Sequence, residues 1–136
     1  MFLGNFELCL NVKDLRVSLE FYETLGFRRV GGNVADGWAI MEASNCRLGL
    51  YEGHIDSNLL NFRGGDVFAL GTELKRRGLT FRQDAYREPD GSAGAILADP
   101  DGNVVYFNTF PEEQVDFAAP EEVPAPQVPE TEETVM

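Results

Sequence analysis

Histidine is almost absent from this sequence, His54 being the only one, and cysteine is nearly as scarce, with Cys9 and Cys46 alone. Two cysteines at that spacing make no zinc motif and cannot staple a fold, so both read as reduced thiols at small core positions. No run approaches the roughly 18 to 20 consecutive apolar residues of a membrane span. The opening MFLGNFELCL lacks a basic start and is broken by Glu7, which is unlike a signal peptide. The expectation is a cytoplasmic protein with no membrane partner. Basic residues are also few, 11 Lys and Arg against 23 Asp and Glu for a net charge of −12. Without clustered Lys and Arg to meet phosphates, nucleic acid is excluded as a partner. The glycine-containing stretches RVGGN and RGGDV lack the Gly-x-Gly-x-x-Gly spacing of a dinucleotide site.

What is present is enough for one modest domain: 136 residues, 43% of them hydrophobic. The acidity is unevenly spread. Eight of the acidic residues lie from Glu112 onward, where no basic residue occurs, leaving 15 acidic against 11 basic residues before it. The same segment, with Pro111 just before it, holds five of the seven prolines and a single aromatic, Phe117. It cannot bury enough apolar surface to offset the entropy of ordering it, so residues 112–136 are expected to form a disordered acidic tail and residues 1–111 the domain.

The domain repeats itself. Asp14 and Gly26 bracket one helical pattern, and Asp66 and Gly78 bracket another 52 residues later. Leu15, Leu19, Tyr22 and Leu25 carry the first apolar stripe, with Asp14 placed to cap and Gly26 to end the helix; Val67, Leu70 and Leu74 carry the second. Lys75, Arg76 and Arg77 complement the negative end of the second helix dipole. Around each helix the strand patterns recur in one order. FELCLNV precedes the first helix, and FRRVG, WAIMEA and RLGLYE follow it. NLLNFRG precedes the second, and LTFRQDA, GAILAD and NVVYFN follow it, the last two joined through an Asp-Pro-Asp-Gly turn. The fold class is therefore α+β, two βαβββ units over about 5–53 and 57–110 forming a curved mixed-sheet groove.

Alternation along each strand separates a face under the helix from a free face that can line a ligand groove. In the first strand Phe6, Leu8, Leu10 and Val12 belong to the core, which leaves Glu7, Cys9 and Asn11 on the free face. Leu60 and Phe62 leave Leu59, Asn61 and Arg63 there, and Val105 and Phe107 leave Tyr106 and Asn108. Tyr51, Tyr106 and Trp38 supply aromatic surface for a planar or cationic ligand. Asn11, Asn61 and Asn108 supply orienting amides. Glu7 is read either as a polar anchor or as an ion-pair partner of Arg63. Each of these residues taken singly is equally a structural residue that faces the groove.

The run LNVKDLRVSLEFYETLGF, the duplicated βαβββ pattern and LADPDGNVVYF together resemble the vicinal oxygen chelate superfamily, which includes glyoxalase I, extradiol dioxygenases, and fosfomycin- and bleomycin-resistance proteins. The resemblance spans residues 5 to about 110. Metal-dependent members take ligands from a His early in the first strand of each unit and a Glu in the last strand of each. Carried onto this sequence, those positions hold Glu7, Leu59, Tyr106, and Gly49 or Leu50, so Glu7 alone can ligate, whereas a catalytic site needs about three protein ligands. The resemblance is thus closest to the metal-free bleomycin-resistance type. It implies a homodimer that binds or sequesters a small organic ligand, with no metal, no other cofactor and no assigned catalytic residue. Two readings stand beside it. One is a lyase, isomerase or dioxygenase holding a divalent ion through Glu7 and unconventional partners such as Cys9, Glu42, Glu52 or His54. The other is a scaffold that meets a partner through its acidic tail.

Overall fold

The computed structural model describes residues 1–112; the expected acidic tail lies outside the described residues but for Glu112. The chain runs β1 (Asn5–Asn11), α1 (Leu15–Leu25), β2 (Arg28–Asn33), β3 (Trp38–Ala43), β4 (Cys46–Tyr51), then β5 (Leu59–Arg63), α2 (Val67–Arg76), β6 (Gln83–Arg87), β7 (Ala93–Ala98) and β8 (Val104–Thr109). This is an α+β fold with the βαβββ order given twice, and its eight strands are of mixed direction. By compactness the described residues divide into a first unit, Glu7–Leu60, and a second made of Met1–Phe6 together with those from Asn61 to Glu112.

In the first unit the strand order is β2-β3-β4-β1. β2, β3 and β4 are antiparallel neighbours, and β1 lies parallel to β4 with Leu8 level with Leu48 and Asn11 level with Tyr51. Asp14 caps α1 by accepting from the N–H groups of Arg16 and Val17, and Gly26 closes the helix at φ 108°, a left-handed conformation that costs glycine little. Leu15 of α1 packs on Ala39, Met41, Leu48 and Leu50, with Leu8, Leu10 and Val12 at the edge of the same cluster. Each fully buried aliphatic side chain here contributes roughly 1.5–3 kcal/mol.

The second unit repeats the plan with strand order β5-β8-β7-β6. Asp66 caps α2 through the N–H of Ala69, and Val67, Leu70 and Leu74 pack on Phe81, Ala93, Ala95, Leu97 and Phe107. The Asp-Pro-Asp-Gly turn between β7 and β8 is held by Asp99, whose carboxylate accepts from the N–H groups of Asp101 and Asn103.

Three expectations need correction. Phe6 does not join Leu8 and Leu10 under α1; its ring packs on Phe62 at 5.3 Å and remains 41% exposed, because the first six residues belong with the second unit. Leu25, expected on the apolar stripe of α1, is the last residue of the helix and is 60% exposed. Cys46 is exposed at the start of β4, while Cys9 is buried.

Candidate functional site

The face of each unit turned away from its helix carries polar side chains, and in both units a glycine makes room for them. On the first unit's free face Glu7 is only 2% exposed. The parallel pairing of β1 with β4 places Arg47 beside it, and Arg47 Nε donates to Glu7 Oε1 at 3.0 Å while its Nη1 donates to Glu42 Oε2 at 2.7 Å. Burial alone would lower the Arg47 pKa, but the hydrogen bonds and charges of Glu7 and then Glu42 outweigh it and hold the guanidinium above its ordinary value. Tyr51 donates its hydroxyl to Glu7 Oε2 at 3.3 Å, and the Cys9 thiol lies 3.6 Å from the same oxygen. A Cβ on Gly49 would lie 2.5 Å from that oxygen and 2.6 Å from the Tyr51 ring, so only glycine fits beneath them.

Trp38, the cross-strand partner of Tyr51, stacks parallel to its ring with centroids 6.1 Å apart. Asn11 lies at the exposed end of β1, its N–H donating to Asn58 Oδ1 at 2.8 Å. His54 is exposed and its Nε2–H donates to the Asp36 carbonyl at 2.6 Å. Glu52 accepts from the Leu15 N–H at 2.8 Å, which commits it to the start of α1.

The second unit's free face is built differently. The Gly64 N–H donates to the Asn108 carbonyl at 2.9 Å, as the Val12 N–H does to Tyr51 in the first unit, where Asn11 stands level with Tyr51. β5, which carries Asn61 and Arg63, lies next to β8, which carries Tyr106 and Asn108. Asn61 is 4% exposed. The side-chain oxygens of Asn61 and Asn108 are both buried with no hydrogen-bond partner. Arg63 places its guanidinium over the Phe110 ring, 5.4 Å from the centroid. On the neighbouring strands the hydroxyls of Tyr86 and Tyr106 lie 3.4 Å apart. A Cβ on Gly94 would come within 2.7 Å of the Tyr86 oxygen and 3.0 Å of the Tyr106 oxygen, so the two hydroxyls converge over a bare stretch of β7.

Of the residues expected at the site, the structure thus gathers Glu7, Cys9, Tyr51 and Trp38 on one unit's free face and Asn61, Arg63, Tyr106 and Asn108 on the other's. Two partners escaped the sequence reading. Arg47 shares the parity of Tyr51 in RLGLYE and was legible there. Tyr86 was lost because the strand pattern LTFRQDA ends one residue before it, whereas the strand itself runs to Arg87.

No protein-family model matches the sequence, and no curated protein does. Solved structures do. A glyoxalase/bleomycin resistance protein/dioxygenase superfamily member from Vibrio splendidus 12B01 matches with TM-score 0.63 at 13% identity, covering 77% of this chain and 97% of its own. The fold is that of the vicinal oxygen chelate superfamily. A protein from Legionella pneumophila described as an NAD-dependent benzaldehyde dehydrogenase matches with TM-score 0.61 at 18% identity over 77% of this chain and 98% of its own. Methylmalonyl-CoA epimerase from Mycobacterium tuberculosis matches with TM-score 0.52 at 19% identity over 79% and 87%. At these identities the likeness is one of fold, which hosts several chemistries.

The donor set does not fit the divalent ion held by metal-dependent proteins of the vicinal oxygen chelate fold. Of the corresponding positions, Glu7 is engaged by a guanidinium, and Gly49, Leu59 and Tyr106 offer neither carboxylate nor imidazole. Among the described residues no three His, Cys, Asp or Glu side chains are grouped to hold a metal ion. Among those residues, too, no helix is long and apolar enough to cross a membrane.

Proposed function

We propose that this chain is a vicinal oxygen chelate superfamily member that binds a small organic ligand on the helix-free faces of its sheet without a divalent metal. The observation that carries the reading is the Glu7–Arg47 ion pair: the one carboxylate at a metal-ligand position already has its cation, at 3.0 Å. With the guanidinium on Oε1 the charge of the carboxylate is already balanced, and a divalent ion added beside it would set two cations against each other in a buried site. Aromatic rings and amides, by contrast, are what an organic guest needs for packing and orientation. Trp38, Tyr51, Tyr86 and Tyr106 supply the rings, and Asn61 and Asn108 the amides. A metal-dependent lyase, isomerase or dioxygenase would need ligands besides Glu7, and Gly49, Leu59 and Tyr106 at the corresponding positions supply neither carboxylate nor imidazole.

The binding form is proposed to be a homodimer, so sedimentation should give twice the 15.1 kDa chain mass. Thermal-shift screening of organic metabolites with and without EDTA, alongside elemental analysis of chelator-free protein, tests the function. The same compounds should raise Tm in both conditions. A stoichiometric divalent ion, with binding lost on chelation, would overturn it.

A further inference from the structure

We infer that the free face of the second unit recognises a planar group presenting N–H donors, of which a primary carboxamide on an aromatic ring is the simplest form, through the side-chain oxygens of Asn61 and Asn108. The inference rests on the ligand-binding reading above and adds the ligand's chemistry to it. Folded proteins pair the great majority of their buried polar atoms, because an unmade hydrogen bond in the interior forfeits the solvation of the group. Here two carbonyl oxygens of one kind go without, on one face: Asn61 on β5 and Asn108 on β8. Asn61 is more than nine-tenths buried. β5 and β8 are neighbours in the sheet, which places the two asparagines on adjacent strands.

An amide oxygen accepts and cannot donate, so the group that relieves both must carry hydrogens on nitrogen or oxygen. The flanking side chains suit a flat molecule. Gly94 leaves β7 bare, and the rings of Tyr86 and Tyr106 close over it from neighbouring strands with their hydroxyls 3.4 Å apart. A ring lying against them gains aromatic contact at little entropic cost, and its exocyclic N–H groups then meet the asparagines. The first unit's face lacks this character. Its central acceptor, Glu7, is already supplied with donors by Arg47 and Tyr51.

The probes are benzamide and N,N-dimethylbenzamide, which share ring and carbonyl but differ in N–H donors. Each is titrated into the full-length 15N-labelled chain and followed by NMR. Benzamide should shift the side-chain amide signals of Asn61 and Asn108, and the dimethyl compound should bind at least about tenfold more weakly, the usual order for one lost hydrogen bond. Asn61→Leu should weaken benzamide by a similar factor while leaving Tm unchanged or raised, because it removes a buried polar group that has no partner in the folded chain. A lowered Tm with benzamide affinity intact would assign Asn61 a structural role and overturn the inference. Equal binding of the two probes, absence of benzamide binding, or shifts confined to the Glu7 face would overturn it too. EDTA separates the two levels: benzamide binding that survives chelation but ignores Asn61 refutes the donor inference alone, whereas organic ligands that bind only with a metal refute metal-independent binding.

Discussion

Glu7 and Arg47, 40 residues apart in the chain, meet at 3.0 Å with the carboxylate only 2% exposed. Removing one member of a buried pair leaves the other charged and unsolvated, and the cost is typically larger than the net worth of the pair. Arg47→Ala should therefore destabilise the protein by about 3 kcal/mol in urea unfolding. Adding Glu7→Gln to Arg47→Ala should recover part of that loss. A double variant less stable than Arg47→Ala would show that Glu7 is held chiefly by other partners.

Gly49 should resist substitution for a reason that backbone propensity does not contain. Its Cβ would sit 2.5 Å from Glu7 Oε2 and 2.6 Å from the Tyr51 ring. Gly49→Ala should lower stability by about 1–3 kcal/mol through overpacking. Gly31→Ala, whose Cβ meets nothing nearer than Ile40 at 3.7 Å, is the control and should leave Tm nearly unchanged.

The cap of α1 makes a smaller and separable contribution. Asp14 accepts from the N–H groups of Arg16 and Val17, and Glu52 accepts from that of Leu15. Asp14→Ala should cost about 1 kcal/mol. Hydrogen exchange should speed up first in the opening turn of α1, and uniform acceleration across the unit would contradict a local capping role.

Acid should act on α2 through Glu73. Hydrogen bonds from Arg76 and then Arg77 lower its pKa from 4.5 to about 2. A carboxylate with a lower pKa in the folded state contributes stability above its unfolded value and loses it as pH falls through its folded value. Its contribution is thus present above pH 4.5 and disappears on the way to about pH 2. NMR titration of the Glu73 carboxyl should give a midpoint near the lower figure, and Glu73→Gln should flatten the stability profile over that interval. Because the group lies at the surface, the effect should shrink with added salt.

Much of the scaffold was legible residue by residue. Asp14, Gly26 and Asp66 mark helix ends through hydrogen bonds reaching no more than a few residues, so local sequence carries them. Strand alternation likewise separated Leu8 and Leu10 from Glu7 and Cys9, since the two-residue period is a property of the extended backbone. The end of β6 was less legible. Tyr86 follows a register shift in the β6–β7 pairing, and such irregularities depend on the partner strand.

The sequence by itself determined the repeated βαβββ order, the helix boundaries and which side of each strand is apolar, because these follow from short-range sterics and hydrogen bonding. Only the tertiary structure decided that Glu7 is held by Arg47, that Gly49 and Gly94 lie beneath converging side chains, and that the oxygens of Asn61 and Asn108 are buried without donors. Those facts depend on the register of strands joined through a helix and further strands. A shift of one residue in that register would turn each of these side chains to the other face.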